Sequence, residues 1–211
     1  MGKGSETRER ILTIAEASVL AKGFGATSIE EIIAEAGLTK SGFFYHFRDK
    51  NELARALIVR YDVENQEMFR SVFGRAEQLA DNDPVQTLLI GLTLLAETMA
   101  DLPKGHPGCL IASMTYQERL FDREVRALMT ATVVRWNQMF RDRISAAAET
   151  CGGMAEEEIE RLAQMVYCVV DGGIVLGRAL DDPSILPAQI LSLRGYLKML
   201  LQPALRARRA A

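Results

Sequence analysis

Between Thr27 and Lys50 the chain reads TSIEEIIAEAGLTKSGFFYHFRDK, where hydroxyls, a turn glycine, aromatics and cations follow one another in an order suited to gripping a nucleic acid. Thr39, Lys40, Ser41 and Gly42 are small or polar and open a short helical segment. Such a face fits the major groove and reaches base edges. Leu38, Phe43 and Phe47 are spaced to point the other way and fix the angle of that helix. Lys40, Arg48 and Lys50, with His46, form a rim opposed by Asp49 alone, which favours phosphate. Backbone amides near Thr27 and Ser28, at the start of the preceding helix, are further phosphate donors.

Other chemistries are poorly represented. No nucleophile–base pair, phosphate loop or metal-ligand spacing is present, so neither an enzyme nor a bound metal or cofactor is expected. The two histidines, His46 and His106, are far apart and lack partners at ligand spacing. The three cysteines, Cys109, Cys151 and Cys168, are odd in number and irregular in spacing, which argues against a disulfide framework and fits a reducing cytoplasm. Cys109 follows Gly105-His106-Pro107-Gly108 at the expected start of a helix, where a thiol can gain thiolate character. It is a candidate redox or electrophile switch; the competing reading is a small buried hydrophobe.

The composition bounds the partners. The 211 residues carry a net charge of −3, so no global basic field attracts DNA and any such binding must rest on a local patch. Hydrophobic residues make up 48% and charged residues 25%, as in a soluble, well-packed protein. The segment MGKGSETRER has no apolar run like that of a secretory signal. The apolar stretch Pro84 to Leu102 is interrupted by polar residues, so it reads as a buried helix rather than a membrane span. The expected location is cytoplasmic, without a membrane partner.

The elements that must hold these residues are helical throughout. About nine helices are expected in an all-α fold, with an N-terminal three-helix helix-turn-helix domain over 1–55 and a larger helical domain over 56–211. The first helix, from near Thr7 to Lys22, has the apolar stripe Ile11, Ile14, Ala15, Ser18 and Ala21 and stops at Gly23. Ser28 and Glu31 form a capping box that opens the second. Gly37 ends it in a left-handed turn, and Thr39 caps a short third helix to about Phe44. Longer helices follow over roughly 50–76, 85–102, 109–120, 123–150, 155–180 and 187–201, with a basic tail of Arg206, Arg208 and Arg209 beyond the last.

The stretch resembles the DNA-binding domain of TetR-family regulators. The resemblance covers about residues 7 to 55 and rests on Lys22-Gly23-Phe24, on Thr27-Ser28-Ile29 with Ile32, on Ala36-Gly37-Leu38-Thr39-Lys40, and on His46-Phe47 with Lys50 and Leu53. It implies a transcriptional regulator, most commonly a repressor, that binds double-stranded palindromic operator DNA as a homodimer and answers to a small-molecule effector. By resemblance Thr39, Lys40, Ser41, Gly42, Tyr45 and His46 face DNA and Lys50 caps a phosphate. The family pattern has a tyrosine where this chain has Phe44, which lacks the hydroxyl that usually meets a phosphate. Tyr45 is the candidate to supply it from a shifted direction. The competing reading is a DNA-free helical adaptor that binds protein.

The resemblance assigns effector binding and dimerisation to the larger domain. Met114, Tyr116, Trp136, Met139, Met165, Tyr167 and Cys168 are the candidate effector contacts, with Cys109. Gly108-Cys109-Leu110 also resembles a subgroup in which some members respond to electrophiles or small organic acids. Gly173 and Gly177 lie one turn apart on the eighth helix, where glycine costs up to about 1 kcal/mol each and a close helix is a plausible compensation. These glycines, with Leu193 and Leu197 on the ninth helix, are the expected dimer contacts.

Overall fold

In this computed structural model residues 2–209 are described, with side chains at residue 2 and from 4 to 201. Among them are nine α-helices, one 3-10 turn and no strand. The helices are α1 (Lys3–Lys22), α2 (Ile29–Glu35), α3 (Lys40–His46), α4 (Lys50–Leu79), α5 (Pro84–Ala100), α6 (Leu110–Thr115), α7 (Arg123–Thr150), α8 (Glu156–Ala179) and α9 (Ile185–Arg209); the 3-10 turn is Glu118–Leu120.

The chain divides into two compact units. The first comprises 1–65 with 108–132, and the second 66–107 with 133–211. The boundary falls inside α4 and α7. The expected division after residue 55 therefore differs from this grouping, because the first half of α4 and the α6 segment share a core with the helix-turn-helix. A long helix carries no punctuation at the point where its neighbours change.

In the first unit α1 buries Ile11, Leu12, Ala15 and Val19. The expected stripe was rotated: Leu12 and Val19 are inside, while Ala21 is exposed. The capping box forms as expected, with Glu31 N–H donating to Ser28 Oγ at 3.1 Å and Ser28 N–H to Glu31 at 3.3 Å. Ile32, Phe43 and Phe47 are buried in this unit together with Leu53, Ala54, Leu57 and Ile58 of α4. Leu110, Ile111, Met114, Phe121 and Val125 are also buried in this unit. The expected single helix over 109–120 is broken: α6 stops at Thr115 and the 3-10 turn follows.

In the second unit α5 is apolar on nearly every side and packs against α9, which also packs along α8. Asp81 and Asn82 take left-handed φ of 49° and 58° at the α4–α5 turn, and Asp83 then caps α5 through Gln86 N–H at 2.8 Å. Phe73, Phe140 and Arg143 stack beside one another, with the guanidinium 4.2 Å from the Phe73 ring. The last helix does not end near Leu201; its backbone continues to Arg209. The side chains of Arg206, Arg208 and Arg209 lie outside the described residues.

Candidate nucleic-acid interface

The reading helix is held from behind. Phe43 and Phe47 are buried, their rings 5.8 Å apart, and Arg8 of α1 lies over the Phe47 ring at 5.1 Å. Leu38 is half-buried. With the inner face fixed, Thr39, Lys40 and Ser41 are left exposed at the start of α3. Thr39 Oγ1 accepts the Gly42 N–H at 3.1 Å and lies 3.1 Å from Ser41 Oγ, so the two hydroxyls are paired into one polar edge. Gly42 sits beneath it; a Cβ there would come 3.3 Å from Thr39 Oγ1 and crowd the cap.

Tyr45 is 83% exposed, its ring edge-on to half-buried His46 at 5.0 Å. Phe44 is partly exposed and rests its edge on Phe43. The hydroxyl that Phe44 lacks is thus present one residue on, at the surface. Arg48 is also exposed, with a loose ion pair to Asp49 at 3.5 Å.

Three of the expected DNA contacts, Thr27, Ser28 and Lys50, have other occupations. Thr27 is 1% exposed, and its hydroxyl donates to Gly23 O at 3.0 Å beside Ser18 Oγ at 3.1 Å. Its amide is committed to the carbonyls of Gly23 and Phe24. Thr27 therefore locks the α1–α2 turn and offers nothing to a phosphate, and the Ser28 amide is taken by the capping box. Lys50 Nζ donates to Phe24 O at 2.7 Å and approaches Gly25 O at 3.5 Å, above the Phe24 ring. Desolvation holds its ammonium below the usual lysine range, with the charge of Lys22 adding to the effect. It braces the turn rather than standing clear to cap a phosphate.

Another occupant of that turn has no signal in the sequence. Gln117, between α6 and the 3-10 turn, accepts the Gly25 N–H at 2.7 Å. Phe121 stacks on Phe24 with centroids 4.7 Å apart. Neither residue lies in a recognisable motif, and only the fold brings them here.

The expected effector residues are divided between the two compact units and differ in exposure. Cys109 and Met114 are buried in the first unit, whereas Tyr116 there is 89% exposed. In the second unit Trp136 is buried and stacks on Tyr167 at 6.0 Å, Met139 is half-buried, and Met165 and Cys168 are exposed. Helical spacing on α6 to α8 placed them on several faces. The Cys109 thiol does take the N-cap position of α6, accepting Ala112 N–H at 3.4 Å. It is also a neighbour of Tyr61 on α4, whose phenol is held above its usual range first by burial and then by Cys109. A cavity of about 280 Å³ in the second unit is lined by other residues, among them Lys104, His106, Gly177, Arg178 and Asp181. Burial, and then the charge of Arg178, push the His106 imidazole down to about 4.

The expected dimer contacts are used within the chain. A Cβ on Gly173 would meet Leu186 at 3.0 Å, and one on Gly177 would meet the Asp182 carbonyl at 3.0 Å. These glycines admit the start of α9 and the α8–α9 turn. Leu193 and Leu197 are buried in the core. On these two helices the large exposed apolar residues are others: Met165, Val175, Leu176 and Leu180 on α8, and Leu191, Tyr196 and Met199 on α9. Gly172 and Gly195, not Gly173 and Gly177, face open space.

The family model described as bacterial regulatory proteins, tetR family, matches residues 11–57. An uncharacterized HTH-type transcriptional regulator, YxaF of Bacillus subtilis (strain 168), is 25% identical over 186 residues, covering 86% of this chain and 90% of its own. The HTH-type transcriptional repressor BepR of Brucella suis is 33% identical over 66 residues, 31% of this chain and 32% of its own. The crystal structure of a TetR transcriptional regulator from Chloroflexus aurantiacus J-10-FL superposes with a TM-score of 0.74 at 25% identity, covering 94% of this chain and 97% of that one.

Proposed function

Because the chain belongs to the TetR family of bacterial regulatory proteins and is a DNA-binding transcriptional regulator, we propose that it acts as a dimeric repressor released from a palindromic operator by a small-molecule or electrophile effector. The observation that carries this reading is the exposed edge of Thr39, Lys40 and Ser41 on a helix whose opposite face, Phe43 and Phe47, is buried. That edge enters the major groove. Tyr45, His46 and Arg48 meet the phosphates flanking it. Two copies would place two such edges on half-sites about 34 Å apart, or a multiple of that.

Release follows from linkage. An effector that favours the conformation unfit for DNA lowers operator affinity by its differential binding, and a coupling of about 1–3 kcal/mol corresponds to roughly a 5- to 150-fold change. Cys109 is a plausible receiver, since its thiol caps α6 and neighbours Tyr61 on α4, the helix that follows α3. Alkylation of a buried thiol adds volume that α4 and α6 must accommodate.

Fluorescence anisotropy with the DNA upstream of the protein's own gene, at two salt concentrations and with unlabelled competitor, tests the reading. Selective binding that weakens with salt supports it. Binding that shows no preference over random DNA, both there and after selection from a random pool, rules it out in favour of a protein-binding adaptor.

A further inference from the structure

We propose that Gln117 is a positioning residue for DNA binding, a latch whose side-chain amide sets the α1–α2 turn and through it the pose of the recognition helix. The proposal rests on the DNA-binding reading. It concerns a residue outside the helix-turn-helix sequence, and all its contacts lie within the first unit.

The α1–α2 turn is a weak point by composition. Gly23 takes φ of +84°, and Gly25 follows two residues later. Glycine leaves the backbone broad freedom, so a turn built on it needs external restraint to hold one shape. Restraint comes from two sides. From α4, Lys50 Nζ reaches the carbonyls of Phe24 and Gly25. From the segment after α6, Gln117 Oε1 takes the Gly25 N–H at 2.7 Å.

The fit around Gln117 is close. A Cβ on Gly23 would sit 2.6 Å from Gln117 Nε2, and one on Gly25 would sit 3.4 Å from Gln117 Oε1 and 3.1 Å from Leu120 Cδ1. The absence of side chains at 23 and 25 is what lets the amide in. The latch is also anchored at its far end. Phe121 stacks on Phe24, Arg55 pairs with Asp122 at 2.8 Å, and Asn51 Oδ1 accepts the Asp122 N–H at 3.3 Å. Gln117 is thus held relative to the base of α4 while it holds the turn. Immediately beyond the turn come buried Thr27 and the α2 capping box, so displacement of the turn carries α2 and α3 with it.

The Gly25–Gln117 bond lies at the surface, so water can reach the Gly25 amide when the acceptor is removed. The fold does not need it; the orientation does. This separates a positioning role from a structural one. A latch affects how well two recognition helices match a fixed half-site spacing, whereas a merely structural contact affects only melting.

The test is Gln117→Leu, which keeps the bulk and removes the acceptor, with Gln117→Glu, which keeps an acceptor at the same reach. Operator affinity is read by anisotropy on the natural site and on sites whose half-site spacing is lengthened or shortened by one base pair. Melting temperature is read on the same preparations. For Gln117→Leu we expect unchanged melting, a loss on the natural site of roughly 2- to 12-fold, the range of one net hydrogen bond, and a smaller preference for natural over altered spacing. Gln117→Glu should restore most of both. If wild type binds selectively and Gln117→Leu keeps its affinity and spacing preference, or binds more tightly, the latch is overturned while the regulator stands. A drop in melting temperature with unchanged spacing preference also overturns it. Failure of the wild type to bind any DNA selectively is the separate outcome that removes the DNA-binding reading itself.

Discussion

Lys40 and Lys50 carry the same charge within one motif, and their surroundings separate their roles. Lys40 is exposed at the start of α3. Lys40→Ala should leave melting unchanged, since substitutions at such surface sites usually stay within about 0.5 kcal/mol. It should weaken operator binding and reduce the slope of log affinity against log salt by about one. Lys50 instead braces the carbonyls of Phe24 and Gly25, so Lys50→Ala should lower both melting temperature and affinity. Melting curves and salt titrations on the two variants check the contrast, and a Lys50→Ala protein that melts like wild type would refute the bracing role. His106 supplies a pH-dependent term. Its folded value of about 4 lies below the 6.5 of a free histidine, so the unfolded chain binds the extra proton first as pH falls. Stability from the neutral imidazole is therefore full above about 6.5 and is lost progressively down to about 4, amounting to about 2 kcal/mol between pH 7 and pH 5. His106→Gln should narrow the gap in urea-denaturation stability between those two pH values; an unchanged gap would mean that His106 is not the group responsible. At this scale the exposed edge Thr39–Ser41 and the inward Phe43 and Phe47 were legible, because side-chain type and helical period determine them locally. The occupations of Thr27 and Lys50 were not. Each depends on carbonyls of a turn whose shape the sequence pattern leaves open.

Helix starts were the most legible elements, because caps are local chemistry. Ser28 with Glu31 and Thr39 with Gly42 form as their types and spacing require, and the structure adds an Asp83 cap before Pro84. Where neighbours decide, the reading slipped: the stripe of α1 is rotated toward Leu12 and Val19, and the expected 109–120 helix breaks after Thr115, where the chain turns to bring Gln117 and Phe121 onto the α1–α2 turn. A close approach between elements is likewise invisible in sequence. On α5, a Cβ at Gly91 would come within 2.2 Å of Phe73 Cε1, and Phe73 is fully buried beside Phe140. In a helix interior alanine is favoured over glycine by roughly 1 kcal/mol, so propensity alone predicts that Gly91→Ala stabilises. Here overpacking should win. The ring cannot leave a filled core cheaply, and we expect net destabilisation of about 1–3 kcal/mol, measured as a lower midpoint in urea. A raised midpoint would mean that α4 and α5 can separate without cost.

For the molecule as a whole, the decisive surface is the one no contact within the chain covers. α8 is long and apolar enough by composition to cross a bilayer, yet only 28% of its most apolar window is buried. Its exposed residues are ordered rather than scattered: Met165, Cys168, Gly172, Val175 and Leu176 recur at helical spacing, and on α9 exposed Ser192, Tyr196 and Met199 do the same around half-buried Gly195. Gly172 and Gly195 stand within these stripes with open space before them, which suits the close approach of another helix. Where exposed apolar side chains gather in this way, they suit an interaction site. A stable dimer buries about 1,200–2,000 Å² in total, which two helices from each copy can supply. A dimer seam on these stripes would use other glycines and leucines than expected, because Leu193 and Leu197 are buried within one subunit. Leu176→Glu combined with Met199→Glu should leave each subunit folded, since both side chains are exposed, and should convert a dimer into a monomer at micromolar concentration in sedimentation equilibrium. Operator affinity should fall far more than it does for Lys40→Ala, because each half-site must then be bound without the help of the other. If the double variant remains dimeric, the α8 and α9 stripes are not the interface; if it is monomeric yet binds the full palindrome as tightly as wild type, two linked reading helices are not what the operator requires.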